Sequence, residues 1–353
     1  MKKKLSVVLL FGGRSAEHEV SIISARSIYK NLDPEKYKVT SIYLNKKGQW
    51  KQVSSPFSSA RELKAGSSFS FLPWFELTGR PEIKGDVYFP VLHGPYGEDG
   101  TIQGLLEMAD VPYVGAGVMA SAIGMDKATF KNLLSYLGLP VVPYLILYEE
   151  NWKESSLAVE KLIQSRFDWP LFVKPANLGS SVGITKVKNR KSLRPALQLA
   201  FRYDRKILVE KAITGQEIEC SVLGNERPIA SIPGEVIPYR EFYDYADKYL
   251  EGKTEFKIPA DLPESLSRKV QQLAIASFKA IEASGLARVD FFVEKSTQKI
   301  YINEINTLPG FTEISMYPRL WEASGLSFRN LLDRLIELAL ERHQNKKRCL
   351  RKT

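Results

Sequence analysis

The sequence has 353 residues, of which 44% are hydrophobic and 25% are charged, so it is too long for one ordinary domain and too rich in core-forming residues for a disordered chain. Two cysteines and three histidines exclude a disulfide framework, a cysteine zinc site and a histidine-rich metal centre. The net charge of +10 would suit a nucleic-acid partner, but nine basic residues lie in the first four and last twelve positions, and the other 41 nearly balance 40 acidic residues. We therefore expect the excess charge at mobile ends and no nucleic-acid-binding face on the body.

The first 115 residues predict a parallel α/β layer. Residues 5–11 form an apolar run as short as a signal-peptide core can be, and because Gly12 follows it we interpret it as a buried strand. Ser15 can cap the next helix, which we expect to end near Leu32. The other predicted elements are a strand at 37–44, an irregular excursion at 52–82, a buried strand at 86–92, a helix at 101–109 and an edge segment at 112–114. No apolar run approaches the roughly 18 residues of a membrane span, so we expect no membrane partner.

Two further units follow, at 116–213 and 214–353. In the first, helices alternate with short strands, which is typical of an α+β lobe. We predict helices at 126–137, 154–167 and 193–203 and strands at 144–147, 170–174, 181–187 and 206–211. In the last unit we predict strands at 217–223 and 228–237, a hairpin of 287–294 with 299–305, and helices at 262–283, 317–323 and 327–343. The aromatic-rich segment 239–256 has no clear period, and a loop of that length is usually functional or disordered.

The hairpin carries the strongest local signal for chemistry. Glu304 and Asn306 are two apart on a strand and share a face, which Asp290 joins if the connecting loop has an odd number of residues or a bulge intervenes. Carboxylate and amide oxygens that converge there would suit Mg²⁺, which usually binds together with substrate phosphates. The alternative is a solvated hairpin face with ordinary polar residues.

Three other segments suggest ligand contacts, each with a plainer alternative. Lys174 ends a strand before a Gly/Ser loop that can cradle phosphates, although a hairpin with a flexible turn explains it equally well. The Gly-rich turn before Glu17 can bind an anion, or Glu17 can simply favour the helix dipole. His93 lies at the carboxyl end of a buried strand, where α/β sheets place ligands, and the neighbouring Asp99 or Thr101 can cap a helix.

Taken together and in order, seven motifs resemble the D-alanine–D-alanine ligase family of the ATP-grasp superfamily, over about residues 4–340. They are Gly12-Gly13 with Ser15-Ala16-Glu17-His18-Glu19-Val20-Ser21, His93-Gly94 with Gly97-Glu98-Asp99-Gly100, Met125-Asp126-Lys127, Lys174-Pro175 with Gly179-Ser180-Ser181-Val182-Gly183, Phe242-Tyr243-Asp244-Tyr245 with Lys248-Tyr249, Arg288-Val289-Asp290-Phe291, and Asn303-Glu304-Ile305-Asn306-Thr307 with Pro309-Gly310. Each motif alone is moderately specific, and the ordered set is highly specific.

The resemblance implies a three-domain ATP-grasp fold, with an N-terminal parallel α/β substrate domain followed by two α+β lobes that enclose ATP. It implies a cytoplasmic, homodimeric enzyme of peptidoglycan synthesis. ATP phosphorylates one D-alanine, and the amine of a second D-alanine attacks the acyl phosphate. The implied cofactors are ATP and two Mg²⁺ ions, with Mn²⁺ as a substitute.

The resemblance also implies roles for individual residues. The metal ligands are Asp290, Glu304 and Asn306. The nucleotide contacts are Lys127, Lys174 and Lys248 at the phosphates, Ser181 in the phosphate loop, Glu210, Lys211 and Ile213 in an adenine-reading hinge, Glu217 at the ribose and Phe292 at the adenine face. The substrate contacts are Glu17, Ser180 and Tyr249 for the first D-alanine, Arg288 and the Gly310 N–H for the oxyanion, Ser315 for the second carboxylate and His93 in the first subsite.

Two rival functions stay open at this point. Another ATP-grasp ligase, such as a depsipeptide ligase, would share these motifs, but Tyr249 favours the dipeptide because the D-lactate-using relatives carry histidine in that region. A basic nucleic-acid-binding protein would cluster its cations with aromatic residues, and the balanced body argues against that class.

Overall fold

A computed structural model describes residues 3–69, 85–179, 181–239 and 254–350, which form three β-sheets flanked by helices. The strands are β1 (Leu5–Gly12), β2 (Tyr37–Leu44), β3 (Trp50–Val53), β4 (Ser67–Phe69), β5 (Val87–Val91), β6 (Tyr144–Tyr148), β7 (Leu171–Pro175), β8 (Thr185–Val187), β9 (Lys206–Lys211), β10 (Gly215–Gly224), β11 (Ile229–Ala230), β12 (Gly234–Ile237), β13 (Glu255–Lys257), β14 (Gly285–Glu294) and β15 (Ile300–Asn306). The helices are α1 (His18–Asn31), α2 (Ala60–Ala65), α3 (Thr101–Met108), α4 (Val118–Met125), α5 (Lys127–Tyr136), α6 (Glu149–Glu154), α7 (Ser156–Arg166), α8 (Arg190–Phe201), α9 (Glu264–Ala280), α10 (Met316–Ala323) and α11 (Phe328–Leu350).

The first sheet has the strand order β4-β3-β2-β1-β5 and is mixed: β1 runs parallel to both β2 and β5, as predicted, whereas β3 and β4 add antiparallel strands at one edge. Residues 7–11 of β1 are fully buried because helices cover both faces, as expected for a parallel sheet. At the end of β1, Gly12 adopts a φ of +97°, and a Cβ there would lie 2.2 Å from the carbonyl oxygen of Leu44. Only glycine therefore fits the turn that directs the chain into α1.

Two predictions for this sheet are wrong in detail. Ser15 does not cap α1, because Glu17 occupies the N-cap without a side-chain bond. The Ser15 hydroxyl instead donates to the His93 carbonyl at 2.6 Å and accepts from the Glu17 N–H at 3.1 Å, which ties the turn to the end of β5. Residues 52–69 are irregular only at 54–59, because the rest of this range contributes to β3, forms α2 and ends in β4. The rest of the predicted excursion, at 70–82, lies outside the described residues.

The other two sheets are antiparallel and confirm the predicted α+β lobes. Their strand orders are β6-β9-β7-β8 and β13-β12-β10-β14-β15, and β11 pairs with β10. The predicted helix 154–167 is α7, which Ser155 caps, and a short helix that was not predicted, α6, precedes it. The predicted strand 228–237 is likewise split, into β11 and β12, and the predicted strand 181–187 is reduced to β8. None of the described helices combines the length and apolar composition that a membrane span requires.

The last helix, α11, packs against the N-terminal sheet. Leu331, Leu335 and Ile336 of α11 are buried in the same core as Val7 and Phe89 of the first sheet. The helix continues to Leu350, beyond its predicted end at 343. The C-terminal domain therefore covers one face of the N-terminal sheet.

The basic tail is docked over its described part, so the expectation of a mobile end is wrong there. The guanidinium of Arg342 lies 4.1 Å from the ring centre of Tyr113, donates to its carbonyl at 3.1 Å and also donates to the carbonyl of Gly115. Lys346 pairs with Glu107, and Lys347 Nζ lies 3.1 Å from Asp110 Oδ2. These contacts attach the tail to the end of α3 and the segment after it.

Arg342→Met is therefore expected to destabilise the protein. The change removes two charge-assisted hydrogen bonds and a cation–π contact, so the free energy of unfolding should fall by about 1.5–3 kcal/mol. Urea denaturation would measure the loss. Arg348→Met, at an exposed position of the same helix, is the matched control and should stay within about 0.5 kcal/mol of the parent. Equal stability of both variants would contradict a clamping role for Arg342.

Candidate active site

Two cavities lie side by side where the three sheets meet. The larger has a volume of about 460 Å³, and eight predicted site residues line it: Glu17, His93, Lys127, Arg288, Glu304, Asn306, Gly310 and Ser315. The smaller has a volume of about 90 Å³ and is lined by six: Lys174, Ser181, Glu217, Asp290, Phe292 and Glu304. Glu304 lines both, so the predicted substrate contacts and nucleotide contacts meet at this carboxylate.

A bulge in the hairpin places the predicted metal ligands on one face. Asp290 pairs directly with Glu304, whereas the next residue, Phe291, pairs with Ile302, so the register shifts between Asp290 and Phe291. The shift supplies the bulge that the prediction required. Arg288 pairs with Asn306 one step along the same face.

A third carboxylate, which the sequence-based prediction missed, extends this row. Glu219 of β10 pairs with Asp290 of β14, so Glu219, Asp290 and Glu304 form an acidic row across three adjacent strands. Its side chain is 7% exposed and lines both cavities. The signal was present in the sequence, because Glu219 lies two residues after Glu217 in a strand and so shares its face.

Cations hold the acidic row in this structure. Arg288 Nε lies 2.7 Å from Asp290 Oδ1 and 3.0 Å from Glu219 Oε2, and Lys127 Nζ lies 3.3 Å from Glu304 Oε2. Burial lowers the pKa of Arg288, but the negative charges of Asp290 and Glu219 outweigh it and raise that pKa well above its ordinary value. Within the described part of the chain, no three His, Cys, Asp or Glu side chains form a preassembled metal cage.

A buried lysine cluster lies beside the smaller cavity. Lys174 Nζ lies 2.7 Å from Glu210 Oε2, and Lys131 Nζ lies 3.1 Å from Glu210 Oε1. Lys174 also donates to Asn303 Oδ1 of the hairpin at 3.2 Å. Burial lowers the pKa of Lys131, whereas for Lys174 the charges of Glu210 and Glu304 outweigh burial and raise the pKa. The sequence-based prediction missed Lys131, because the sequence of an amphipathic helix does not show which of its lysines is buried.

This cluster bears on the predicted adenine hinge. Both carboxylate oxygens of Glu210 face lysines, so in this structure its side chain serves the cluster. Lys211 and Ile213 follow at and just beyond the end of β9, outside the described linings of the two cavities. The adenine-reading role of this segment stays a prediction.

Glu17 and His93 lie together at the N-terminal side of the larger cavity. Gly94, with a φ of +74°, approaches so closely that a Cβ there would lie 3.0 Å from Glu17 Oε2. His93 is 3% exposed, and its Nδ1 lies 3.1 Å from the Leu308 carbonyl and 3.6 Å from Glu98 Oε1. Burial lowers the pKa of His93, but Glu98 outweighs burial and raises it. Burial, with the nearby negative charge of Glu17, raises the pKa of Glu98.

The loop after β15 carries the remaining substrate contacts. Ser315 Oγ accepts from the Thr312 N–H at 3.0 Å, and a Cβ on Gly310 would lie 2.7 Å from that oxygen. The Phe311 N–H donates to Ser24 Oγ of α1 at 3.2 Å, which anchors the loop to the N-terminal domain. Gly310 and Ser315 are therefore adjacent, as their predicted roles require.

Three predicted site residues, Ser180, Lys248 and Tyr249, lie outside the described residues. Ser181 is described, with a φ of +59°, and lines the smaller cavity with Glu217 and Phe292. The structure thus brings together the predicted metal ligands, five of the predicted nucleotide contacts and five of the predicted substrate contacts around the acidic row.

Two antiparallel lobes face each other, with lysines and a carboxylate-bearing hairpin between them, and an α/β domain lies next to them. This arrangement defines an ATP-grasp enzyme. Residues 6–116 match the family model described as "D-ala D-ala ligase N-terminus", and residues 133–337 match "D-ala D-ala ligase C-terminus". The chain belongs to the D-alanine–D-alanine ligase family.

Known relatives are similar to this chain along nearly its whole length. The D-alanine–D-alanine ligase of Chloroherpeton thalassium is 50% identical over 98% of this chain and 99% of its own length. The D-alanine–D-alanine ligase structure from Coxiella burnetii superposes with a TM-score of 0.85 at 42% identity, covering 99% of this chain and 98% of that one. The VanG D-Ala:D-Ser ligase from Enterococcus faecalis gives a TM-score of 0.84 at 34% identity, covering 96% and 100%.

Proposed function

We propose that this protein joins two D-alanine molecules into D-alanyl-D-alanine, with conversion of ATP to ADP and phosphate, for peptidoglycan precursor synthesis. The observation that carries the proposal is the acidic row at the junction of two cavities, with predicted nucleotide contacts on one side and predicted substrate contacts on the other. The reaction needs that arrangement, because the phosphoryl group must pass from ATP to a substrate carboxylate. The proposed enzyme acts in the cytoplasm, where ATP is available, and as a homodimer.

The donor set of the hairpin fits Mg²⁺. Asp290 and Glu304 are carboxylates on directly paired residues, Asn306 adds an amide oxygen, and oxygen donors of this kind suit a hard cation. We assign these three residues to two Mg²⁺ ions, with Mn²⁺ as a substitute. When bound, the metal neutralises negative charge on the phosphates.

Buried lysines hold the phosphates in the proposed reaction. Lys127 contacts Glu304 of the acidic row, and Lys174 donates to the adjacent Asn303, so both ammonium groups lie beside the proposed metal ligands and can contact one polyphosphate. Lys248 and Ser181 add contacts, Glu217 takes the ribose, and Phe292 lies against adenine, which Glu210, Lys211 and Ile213 border.

The substrate half of the reaction uses the larger cavity. Glu17 pairs with the ammonium group of the first D-alanine, supported by Ser180, Tyr249 and His93. Arg288 and the Gly310 N–H stabilise the oxyanion that forms when the second amine attacks the acyl phosphate. Ser315 holds the carboxylate of the second D-alanine. The bond between the acyl carbon and the phosphate oxygen then breaks, which releases inorganic phosphate and leaves the dipeptide.

The decisive experiment measures phosphate release with ATP, Mg²⁺ and D-alanine, and identifies the product by mass. We expect release with D-alanine and none with L-alanine. D-Serine and D-lactate, offered with limiting D-alanine, test the second subsite, because one structural relative is a D-Ala:D-Ser ligase. A mixed product in preference to the dipeptide would replace the proposed specificity, and no release with any acceptor would refute the ligase function.

Lys131→Met tests the lysine cluster. Without Lys131, Glu210 would have Lys174 as its remaining partner in the cluster, so less of the Lys174 charge would be available to a phosphate. We expect ADP binding to weaken about tenfold, on the order of 1.4 kcal/mol, in isothermal titration calorimetry. Lys161→Met, at an exposed position of α7, is the control and should bind like the parent. Equal ADP affinity in all three proteins would contradict the electrostatic role of Lys131.

A further inference from the structure

Arg288 is held by two carboxylates at once, and they belong to different strands. Its Nε and Nη2 each donate at 2.7 Å to a different oxygen of Asp290, so the guanidinium contacts both oxygens of that carboxylate. Glu219 Oε2 of the neighbouring strand β10 lies 3.0 Å from the same Nε. The three side chains are only 7–16% exposed, so little water screens them from one another.

The two carboxylates are not equivalent in the proposed reaction. Asp290 is a proposed metal ligand, and a metal ion needs at least one of the oxygens that Arg288 occupies in this structure. Arg288 itself is proposed to reach the oxyanion, so its position must survive the change at Asp290. Glu219 carries no role in the motifs, yet it lines both cavities.

We propose that Glu219 is a positioning residue that retains Arg288 when Asp290 turns from the guanidinium to the metal. The proposal rests on the proposed function, because it takes the metal and oxyanion roles from there. Glu219 supplies the charge that keeps the buried guanidinium paired in both states. A buried arginine that lost its partner would incur a large desolvation cost, and Glu219 removes that cost from metal binding.

This arrangement makes Arg288 a competitor of the metal, with Glu219 setting the strength of the competition. If Glu219 loses its charge, Arg288 depends more on Asp290 and the metal binds more weakly. If Arg288 is removed, Asp290 is released and the metal binds more tightly. The two substitutions therefore act in opposite directions. A direct metal-ligand role for Glu219 predicts the same signs, so the two roles separate in the absence of Arg288, where a positioning residue has nothing left to retain and a ligand still contributes.

The experiment is a double-mutant cycle on Mn²⁺ binding, measured by electron paramagnetic resonance of free Mn²⁺ in the presence of ADP. We expect Glu219→Gln to weaken Mn²⁺ binding about tenfold and Arg288→Met to strengthen it. In the Arg288→Met background, Glu219→Gln should have no further effect. Glu235→Gln, a carboxylate change on the adjacent strand β12, is the control and should leave Mn²⁺ affinity unchanged.

Two results would overturn the proposal. Unchanged Mn²⁺ affinity in Glu219→Gln removes the role altogether, and a loss that persists in the Arg288→Met background makes Glu219 a metal ligand. If Arg288→Met does not fold, Arg288→Lys provides the second background, because lysine cannot make the paired contacts to Asp290. The Mn²⁺ measurement does not depend on turnover. A parent without D-alanine-dependent phosphate release would refute the proposed function and leave this cycle readable.

Steady-state kinetics give a second readout. In Glu219→Gln we expect a lower kcat with little change in the KM for the second D-alanine, because the misplaced oxyanion contact is made only in the transition state. The KM for ATP, extrapolated to saturating Mg²⁺, should stay within about twofold of the parent. A merely structural role for Glu219 would move both KM values together, and that result would contradict the positioning role.

Discussion

Glu304→Gln should lower ATP- and D-alanine-dependent phosphate release by about 10²–10³-fold. Glu304 pairs with Asp290 across the hairpin and lines both cavities, so it lies where the metal and the transferring phosphoryl group meet. The amide keeps the size of the side chain but removes its charge, and an uncharged oxygen is a much poorer donor to Mg²⁺. Single-turnover and steady-state phosphate assays at saturating Mg²⁺ would measure the loss.

The fold of this variant should be unaffected. The Glu304 side chain is 28% exposed, and its partner Lys127 keeps a second acceptor, the Leu178 carbonyl, at 2.7 Å. Thermal unfolding should therefore match the parent within a few degrees. Glu294→Gln, at the far end of β14, is the matched control and should retain full activity. Phosphate release at the parent rate in Glu304→Gln would remove Glu304 from the metal site.

The hairpin shows how far sequence patterns reached. Their period placed Glu304 and Asn306 on one face, and it placed Asp290 there on the condition of an odd connecting loop or a bulge. Whether Asp290 shares that face depends on the bulge between Asp290 and Phe291, and a bulge has no reliable signature in residue type. The structure supplies the bulge and confirms the alignment.

Other features depend on tertiary neighbours that local patterns do not encode. Lys131 looks like any surface lysine of an amphipathic helix, and its burial follows from the way β9 places Glu210 against α5. The basic residues near the C-terminus suggested a mobile tail. Arg342 instead contacts the Tyr113 ring and two backbone carbonyls that are more than 200 residues earlier in the sequence. Serine is a common helix N-cap residue, yet the Ser15 hydroxyl donates to the His93 carbonyl instead.

Lys174→Met should abolish most nucleotide binding and lower phosphate release by about 10²-fold or more. Lys174 lines the smaller cavity, and its Nζ donates to Asn303 Oδ1 of the hairpin at 3.2 Å. Its removal leaves no buried charge unpaired, because Lys131 Nζ still lies 3.1 Å from Glu210. Stability should therefore change less than in a variant that strips Glu210 of both partners. ADP titration calorimetry would measure the binding loss, and urea denaturation would show that the protein is folded.

Lys186→Met is the matched control for Lys174→Met. Lys186 is an adjacent lysine of the same sheet, and the two Nζ atoms lie 6.0 Å and 5.8 Å from the centre of one aromatic ring, that of Phe172. Only Lys174 faces Glu210 and the hairpin among the contacts described for these two lysines. If positive charge near this sheet were all that the nucleotide required, both variants would lose affinity equally. A loss confined to Lys174→Met means that the phosphate contact depends on the position that Glu210 and Asn303 give this one ammonium group.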